Sequence, residues 1–473
     1  MLGRSPCART LQTRLASNAV AKIPSEPSTN YLKPTYDFSS PPATRTASTL
    51  ALGEQYLLPV YARPPIVLSH GRGCWVWDTE ERKYLDFSAG IAVNALGHAD
   101  PGVAEVLHTQ ASTLLHSSNV YHNEWAPKLA ELLVTVTASE GGLGFPTGST
   151  PTTQVRVFFA NSGTEANEGA LKIARKVGKD QWAAVTGNKP DDPACSKTKI
   201  VCFENAFHGR SMGALSVTST EKYQAPFRPL IPGVEVGKVN DIERLQNLIT
   251  DETCAVIIEP VQGEGGVTAA DEQWLMALRE RCNETGAVLI YDEIQCGLFR
   301  TGTMWAHSSL PVGCHPDIIT MAKPLANGYP IGAVLLRDTV ASTMTAGTHG
   351  TTFGGSPMAC AVGHHVLSRL SAPSFIAHIS DVSKHLNARL ELLPKWFPDI
   401  LQMDVRGRGL IRALGFKSEK NPGRVVELAR ERGVFLLPAG NDAVRLVPPL
   451  TINKEEIDLA MDVLEGSLGA LQN

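Results

Sequence analysis

Two short runs end in opposite charges. Val288-Leu-Ile-Tyr-Asp-Glu-Ile-Gln295 and Ile318-Ile-Thr-Met-Ala-Lys-Pro324 are apolar and rich in β-branched residues until they reach Asp292 and Lys323. That is the pattern of a buried strand whose carboxyl-terminal end opens into a site, so the two charges are expected at neighbouring strand ends. A carboxylate and a lysine placed there have two readings. One is a partly buried salt bridge. In the other, Lys323 forms a Schiff base with an aldehyde cofactor while Asp292 pairs with the protonated ring nitrogen of the same cofactor. The second requires a phosphate site and a ring-stacking residue elsewhere in the chain.

A candidate for the phosphate lies upstream. Gln154-Val-Arg-Val-Phe-Phe-Ala160 reads as a strand running into Asn161-Ser-Gly-Thr-Glu-Ala-Asn-Glu168, after which Ala166, Ala170, Ile173, Ala174 and Val177 recur at helical spacing. A helix therefore begins within Ser162, Gly163 and Thr164, where small residues, hydroxyls and unpaired N–H groups suit an anion. The same residues also suit an ordinary N-cap, with Glu165 in the first turn. A stacking platform is offered by Phe207 or His208 beside Gly209, with Arg210 able to grip a carboxylate. Another apolar strand, Cys254 onward, ends in Glu259 and Glu264.

Strands and helices alternate from about 154 to 323, which predicts an α/β fold with a mostly parallel sheet, helices on both faces, and ligands at the strands' carboxyl ends. At 473 residues the chain exceeds the length over which a single core usually grows, so two or more domains are expected. Helical patterns are expected from Pro101 to about Leu115, Pro127 to Val136 and Pro357 to about Trp396. Gly73 to Phe87 reads as two strands about a polar turn, and Arg406–Phe416, Val434–Leu437 and Val444–Val447 as short strands of a smaller α+β lobe. The Gly/Pro/Ser/Thr-rich stretches 139–153 and 187–199 read as surface insertions.

A formal net charge of −4, with no long basic run, argues against nucleic acid as the main partner, and no apolar stretch approaches a membrane span. The nine cysteines form no C-x-x-C pair and no zinc-type Cys/His grouping, so neither a disulfide framework nor a metal is expected. Cys296 reads either as a reactive thiol or as a buried structural cysteine. Residues 1–25 carry Arg4, Arg9, Arg14 and Lys22 with no acidic residue before Glu26, the composition of a mitochondrial transit peptide.

Six motifs, taken in order, resemble those of the class-III pyridoxal-phosphate aminotransferases. They are Ser162-Gly-Thr-Glu-Ala-Asn167, Phe207-His-Gly-Arg210, Glu259-Pro-Val-Gln-Gly-Glu264, Asp292-Glu-Ile-Gln295, the Lys323 segment through Ala333, and His349-Gly-Thr-Thr-Phe-Gly-Gly355. The resemblance runs from about residue 50 to the C-terminus. Within that class, Gly90-Ile-Ala-Val-Asn-Ala-Leu-Gly-His98, Ser118-Asn-Val-Tyr-His-Asn123 and Arg445-Leu-Val-Pro-Pro-Leu450 resemble the branch that converts N-acetylornithine and 2-oxoglutarate to N-acetylglutamate semialdehyde and glutamate in arginine biosynthesis. Ornithine and other ω-amines suit a similar pocket, and an aminomutase, decarboxylase or racemase on the same fold is the alternative within the same cofactor class. A non-catalytic dimer holding a phosphorylated metabolite is the reading from outside enzymes.

The resemblance implies the fold type I of pyridoxal-phosphate transferases, with a seven-stranded sheet and a smaller α+β domain. It divides the chain into a mitochondrial presequence and linker (1–47), the first segment of the small lobe (48–105), the large cofactor-binding domain (106–349) and the C-terminal small domain (350–473). Lys323 would hold the cofactor and shuttle the proton, and Asp292 would keep its ring nitrogen protonated. Ser162, Gly163 and Thr164 would hold the phosphate, Phe207 would stack on the ring, and Gln295 would hydrogen-bond the phenolic oxygen. Thr352 would reach the phosphate from a partner subunit, making a homodimer with its active site at the interface, and Thr351 would touch substrate. Arg210 would bind the substrate carboxylate far from the reacting nitrogen and Arg445 the α-carboxylate of glutamate, with Glu264 neutralising Arg445 when acetylornithine is bound. A mitochondrial matrix location goes with this assignment.

Overall fold

Apolar strands with both faces covered dominate the middle of the chain. The computed structural model describes residues 23–151 and 155–472; most of the basic N-terminal stretch, Gln154 and the last two residues of the 139–153 stretch lie outside the described residues. The strands are β1 (Arg156–Ala160), β2 (Lys199–Phe203), β3 (Val234–Gly237), β4 (Thr253–Ile258), β5 (Val288–Asp292), β6 (Ile318–Met321) and β7 (Gly332–Leu336). They form one seven-stranded sheet in the order β1-β7-β6-β5-β4-β2-β3. All neighbours are parallel except β7, which runs antiparallel to both β6 and β1.

Alternation along the strands assigns side chains to the two faces. Ala255 and Ile257 of β4 and Val288 and Ile290 of β5 pack with Ala166, Ala170, Ile173 and Ala174 of the helix α1 (Gly163–Thr186). Val256, Ile258, Leu289 and Tyr291 face the other way, against Trp274, Leu275 and Leu278 of α2 (Glu272–Thr285). Strands buried on both faces need apolar residues at nearly every position, which explains why β4, β5 and β6 read as near-continuous apolar runs. The same parity places Asp292, two residues beyond Ile290, on the α1 face.

A second sheet is antiparallel: β8 (Leu401–Arg408), β9 (Ile411–Phe416), β10 (Leu437–Ala439) and β11 (Ala443–Leu446), in the order β8-β9-β11-β10. The run Arg406–Phe416 is thus a hairpin corner and not one strand. At its turn Gly409 has φ +59°, and a Cβ there would lie 2.4 Å from the Thr301 backbone. Val434–Phe435 leaves this lobe to pair in parallel with Lys83–Asp86, the last strand of an N-terminal meander.

Two stretches differ from their composition. Residues 139–151 are not simply a surface insertion: Leu143 and Phe145 are buried, and the Leu143 and Gly144 N–H groups donate to the buried rings of His307 (3.2 Å) and His315 (3.0 Å). The Pro/Ser/Thr-rich segment after residue 23 is strapped to the C-terminal lobe. There Arg432 donates to the Tyr31 and Leu32 carbonyls, and the Ser28 N–H donates to Glu465 at 2.6 Å.

Candidate active site

Asp292 is the last residue of β5, and its carboxylate accepts three hydrogen bonds. Oδ2 accepts from Asn167 Nδ2 at 2.7 Å and from His208 Nδ1 at 2.8 Å, and Oδ1 accepts from the Ile294 N–H at 3.0 Å. Asn167 comes from the buried face of α1 and is held in turn by the Thr320 hydroxyl of β6, which donates to its Oδ1 at 2.7 Å. The Asn167 amide also donates to the His208 carbonyl at 2.7 Å. No ion pair joins Asp292 to Lys323 among the described residues, so the salt-bridge reading of these two charges gives way.

Lys323 follows β6 by two residues. Burial lowers its pKa from the ordinary lysine value to about 8; the Arg445 guanidinium adds to the effect, while Glu259, Asp292 and Glu264 oppose it. Glu259, at the end of β4, is buried, and its carboxyl is pushed upward by desolvation, an effect the nearby Asp292 charge reinforces. Its two oxygens accept from the Phe207 N–H at 2.9 Å and the Gly263 N–H at 3.1 Å, tying two loops of the site together.

At the start of α1 the cap is real. The Glu165 N–H donates to Ser162 Oγ at 3.3 Å, the N-cap bond, and Glu165 reaches back one residue beyond the cap to accept from the Asn161 N–H at 2.7 Å. This leaves the Gly163 and Thr164 N–H groups without intrahelical acceptors, pointing out of the helix end. A Cβ at Gly163 would lie 2.8 Å from Ile294, and one at Gly209 2.3 Å from Thr164 Oγ1, so both glycines permit close approach.

Ser162, Gly163, Thr164, Phe207, Arg210, Asp292, Gln295 and Lys323 line one cavity of about 280 Å³. Its chemistry suits pyridoxal phosphate: N–H groups and hydroxyls for a phosphate at one end, the Asp292 carboxylate for a ring nitrogen, and an amine of lowered pKa for an aldehyde. His208 Nε2, buried and without a partner among the described residues, adds a further polar atom there.

Arg445 of β11 joins the small lobe to this site. Its Nη1 donates to Gln295 Oε1 at 2.6 Å and its Nη2 to Glu264 Oε2 at 3.1 Å. Arg210 is exposed, with its guanidinium over the rings of Tyr223 (3.8 Å) and Phe207 (5.5 Å). Thr351 and Thr352 do not line the cavity. Thr351 Oγ1 accepts from Asn161 Nδ2 at 3.0 Å, and Thr352 is exposed. Cys296 is fully buried and its thiol is pushed well up by desolvation and by Glu293, which fits the structural reading and not a reactive thiol.

Four residues around Asp292 and Lys323 carried no role in the sequence reading: Asn167, Thr320, Glu259 and, as a partner of Asp292, His208. Asn167 had a signal, a polar residue amid the apolar face of α1, and Thr320 is the one hydroxyl in an apolar run.

Residues 58–468 match the family described as Aminotransferase class-III. The mitochondrial acetylornithine aminotransferase of Yarrowia lipolytica is 48% identical over 422 residues, covering 89% of this chain and 96% of its own. Among solved structures, the ornithine aminotransferase of Toxoplasma gondii superposes with a TM-score of 0.77 at 32% identity, covering 90% of this chain and 96% of that one. The N-acetylornithine aminotransferase of Stenotrophomonas maltophilia does so with a TM-score of 0.71 at 34% identity, covering 89% and 99%.

Proposed function

The chain belongs to the class-III aminotransferases, and from that membership we propose that it moves the terminal amino group of N2-acetylornithine to 2-oxoglutarate in the mitochondrial matrix, giving N-acetylglutamate 5-semialdehyde and glutamate for arginine biosynthesis. The observation that carries the chemistry is the convergence of Asp292 and a Lys323 of lowered pKa on one cavity. The family's cofactor, pyridoxal 5′-phosphate, supplies an aldehyde that condenses with amines and a ring that accepts the electrons released at the substrate carbon.

The chain's own residues then divide the work. The Gly163 and Thr164 N–H groups, with the Ser162 and Thr164 hydroxyls, would hold the phosphate, and Phe207 would support the ring. Asp292 keeps the ring nitrogen protonated, its orientation held by Asn167 and His208. Gln295 gives its carbonyl oxygen to Arg445, so its amide N–H₂ is left to donate to the phenolic oxygen. Lys323 Nζ, whose charge burial disfavours so that a far larger share is neutral near physiological pH than in a solvated lysine, takes the proton from the substrate's amine-bearing carbon.

Arg210 receives the carboxylate at the far end of acetylornithine; the acetyl cap removes the ammonium that ornithine would place beside that guanidinium. Glu264 neutralises Arg445 in this half-reaction and leaves it when the α-carboxylate of glutamate must bind there. Thr352, with Thr351 beside it, serves the site of a second copy: Thr352 is exposed next to Phe353, on a loop that Asn119 ties to the exposed Val120 and Tyr121. The experiment that tests the substrate is kcat/KM for acetylornithine against ornithine. A preference of about tenfold or more for acetylornithine is expected, and a preference for ornithine overturns the assignment.

A further inference from the structure

We propose that Tyr223 is a positioning residue that biases the enzyme between its two half-reactions, because one side chain supports Arg210 with its ring and holds Glu264 with its hydroxyl. The inference rests on the switching role given above to Glu264 and Arg445. Tyr223 sits on the short helix Glu221–Gln224, which Gln224 pins by donating from Nε2 to the carbonyls of Leu215 (3.0 Å) and Ser216 (3.2 Å). From this fixed base its ring lies 3.8 Å from Arg210 Cζ and meets Phe207 edge-on at 5.9 Å. Arg210 has no ion-pair partner among the described residues, so the tyrosine face is what orients its guanidinium for an incoming carboxylate.

The hydroxyl does separate work. It donates to Glu264 Oε1 at 3.3 Å, while Glu264 Oε2 accepts from Arg445 at 3.1 Å. The carboxylate is thus held from two sides, by an arginine bond near the long end of the usual N–H···O range and by a tyrosine bond longer than the usual O–H···O range, and neither locks it. The Glu264 side chain keeps 35% of its surface exposed. Beside it opens a polar cavity of about 550 Å³ lined by Asn205, Lys222, Tyr223, Glu264 and Arg406 together with the carboxylates Glu419 and Asp442, the latter already paired with Arg406 at 2.6 Å. That cavity is where Glu264 turns when glutamate needs Arg445, and Lys222 offers it a cation there. The Tyr223 hydroxyl holds Glu264 on the Arg445 side and so favours acetylornithine, whereas the ring serves both substrates through Arg210.

Two variants separate these effects. In Tyr223→Phe the ring remains and the tether is lost. The ratio of kcat/KM for acetylornithine to that for glutamate, measured as single half-reactions of the holoenzyme, should then fall by about three- to tenfold, the worth of one hydrogen bond. Calorimetric binding of glutarate, an unreactive dicarboxylate that needs both arginines, should tighten by a similar factor. In Tyr223→Leu both are lost, and relative to Tyr223→Phe KM should rise by about tenfold for both substrates with little change in kcat. Glu264→Ala is the control. An unchanged ratio and unchanged glutarate affinity in Tyr223→Phe, with Glu264→Ala shifting both, overturns the role of Tyr223 alone. Unchanged values in both variants overturn it together with the Glu264 switch.

Discussion

At Lys323 burial opposes the charge that a lysine carries in water, and the consequence can be measured in the cofactor-free protein. With the folded pKa near 8 and the ordinary value at 10.5, the ammonium is present in both folded and unfolded chains below pH 8, so the folded state bears its full penalty there. Between the two values the unfolded chain still binds the proton and the folded one does not, so the stability this residue contributes rises with pH through that window and is lost as pH falls through it. Lys323→Met removes the group. Its stability advantage over wild type, measured by urea unfolding, should shrink by about 2–3 kcal/mol between about pH 7.5 and pH 10. An advantage that does not vary with pH would show that the amine is not shifted. Lys323 and Asp292 were legible in the sequence because each is a charge that terminates an apolar run. The partners of Asp292 were not, because Asn167 and His208 stand 125 and 84 residues away and meet it only through the strand order.

Elements set how closely the groups of the site can approach. The Phe207–Arg210 loop crosses the first turn of α1 at Gly209, where φ is +137° and a Cβ would fall 2.3 Å from Thr164 Oγ1 and 2.7 Å from Thr164 Cβ. Alanine there meets both a backbone region that disfavours side chains and a clash with the phosphate-binding turn. Gly209→Ala should therefore weaken pyridoxal phosphate affinity by about tenfold or more, read by cofactor titration, while far-UV circular dichroism stays unchanged; unaltered affinity would show that the loop can lift without disturbing the turn. The helix start here was readable from its small residues and hydroxyls, and five of the seven sheet strands from their apolar runs. The other two were not. Val234–Gly237 is an edge strand in which only Gly237 is buried, and Gly332–Leu336 follows a Gly/Pro-rich turn that hides its start. The buried part of 139–151 was masked by glycines whose role is to let Leu143 and Phe145 turn inward beside His307 and His315.

The molecule as a whole leaves an apolar face beside Thr352: Val120 is 78% exposed, Tyr121 73% and Phe353 62%. Side chains of this size seldom gather in water without a covering partner, and a two-fold pairing would place the same loop of each copy against the other. A site that borrows Thr352 from a second subunit can be tested by mixing defective copies. Lys323→Ala subunits lack the proton-carrying amine, and Thr352→Ala subunits lack the borrowed hydroxyl, so each homodimer should be impaired at limiting cofactor. When the two are unfolded together and refolded in equal amounts, about half of the dimers pair one of each, and in every such dimer one site combines an intact Lys323 with an intact Thr352 from across the interface. Activity should return to about a quarter of the wild-type value, since one site in four is then complete. If Thr352 instead served its own chain's cavity, mixing could rebuild no site beyond what the Thr352→Ala subunits already have, and activity would stay at the mean of the two parents.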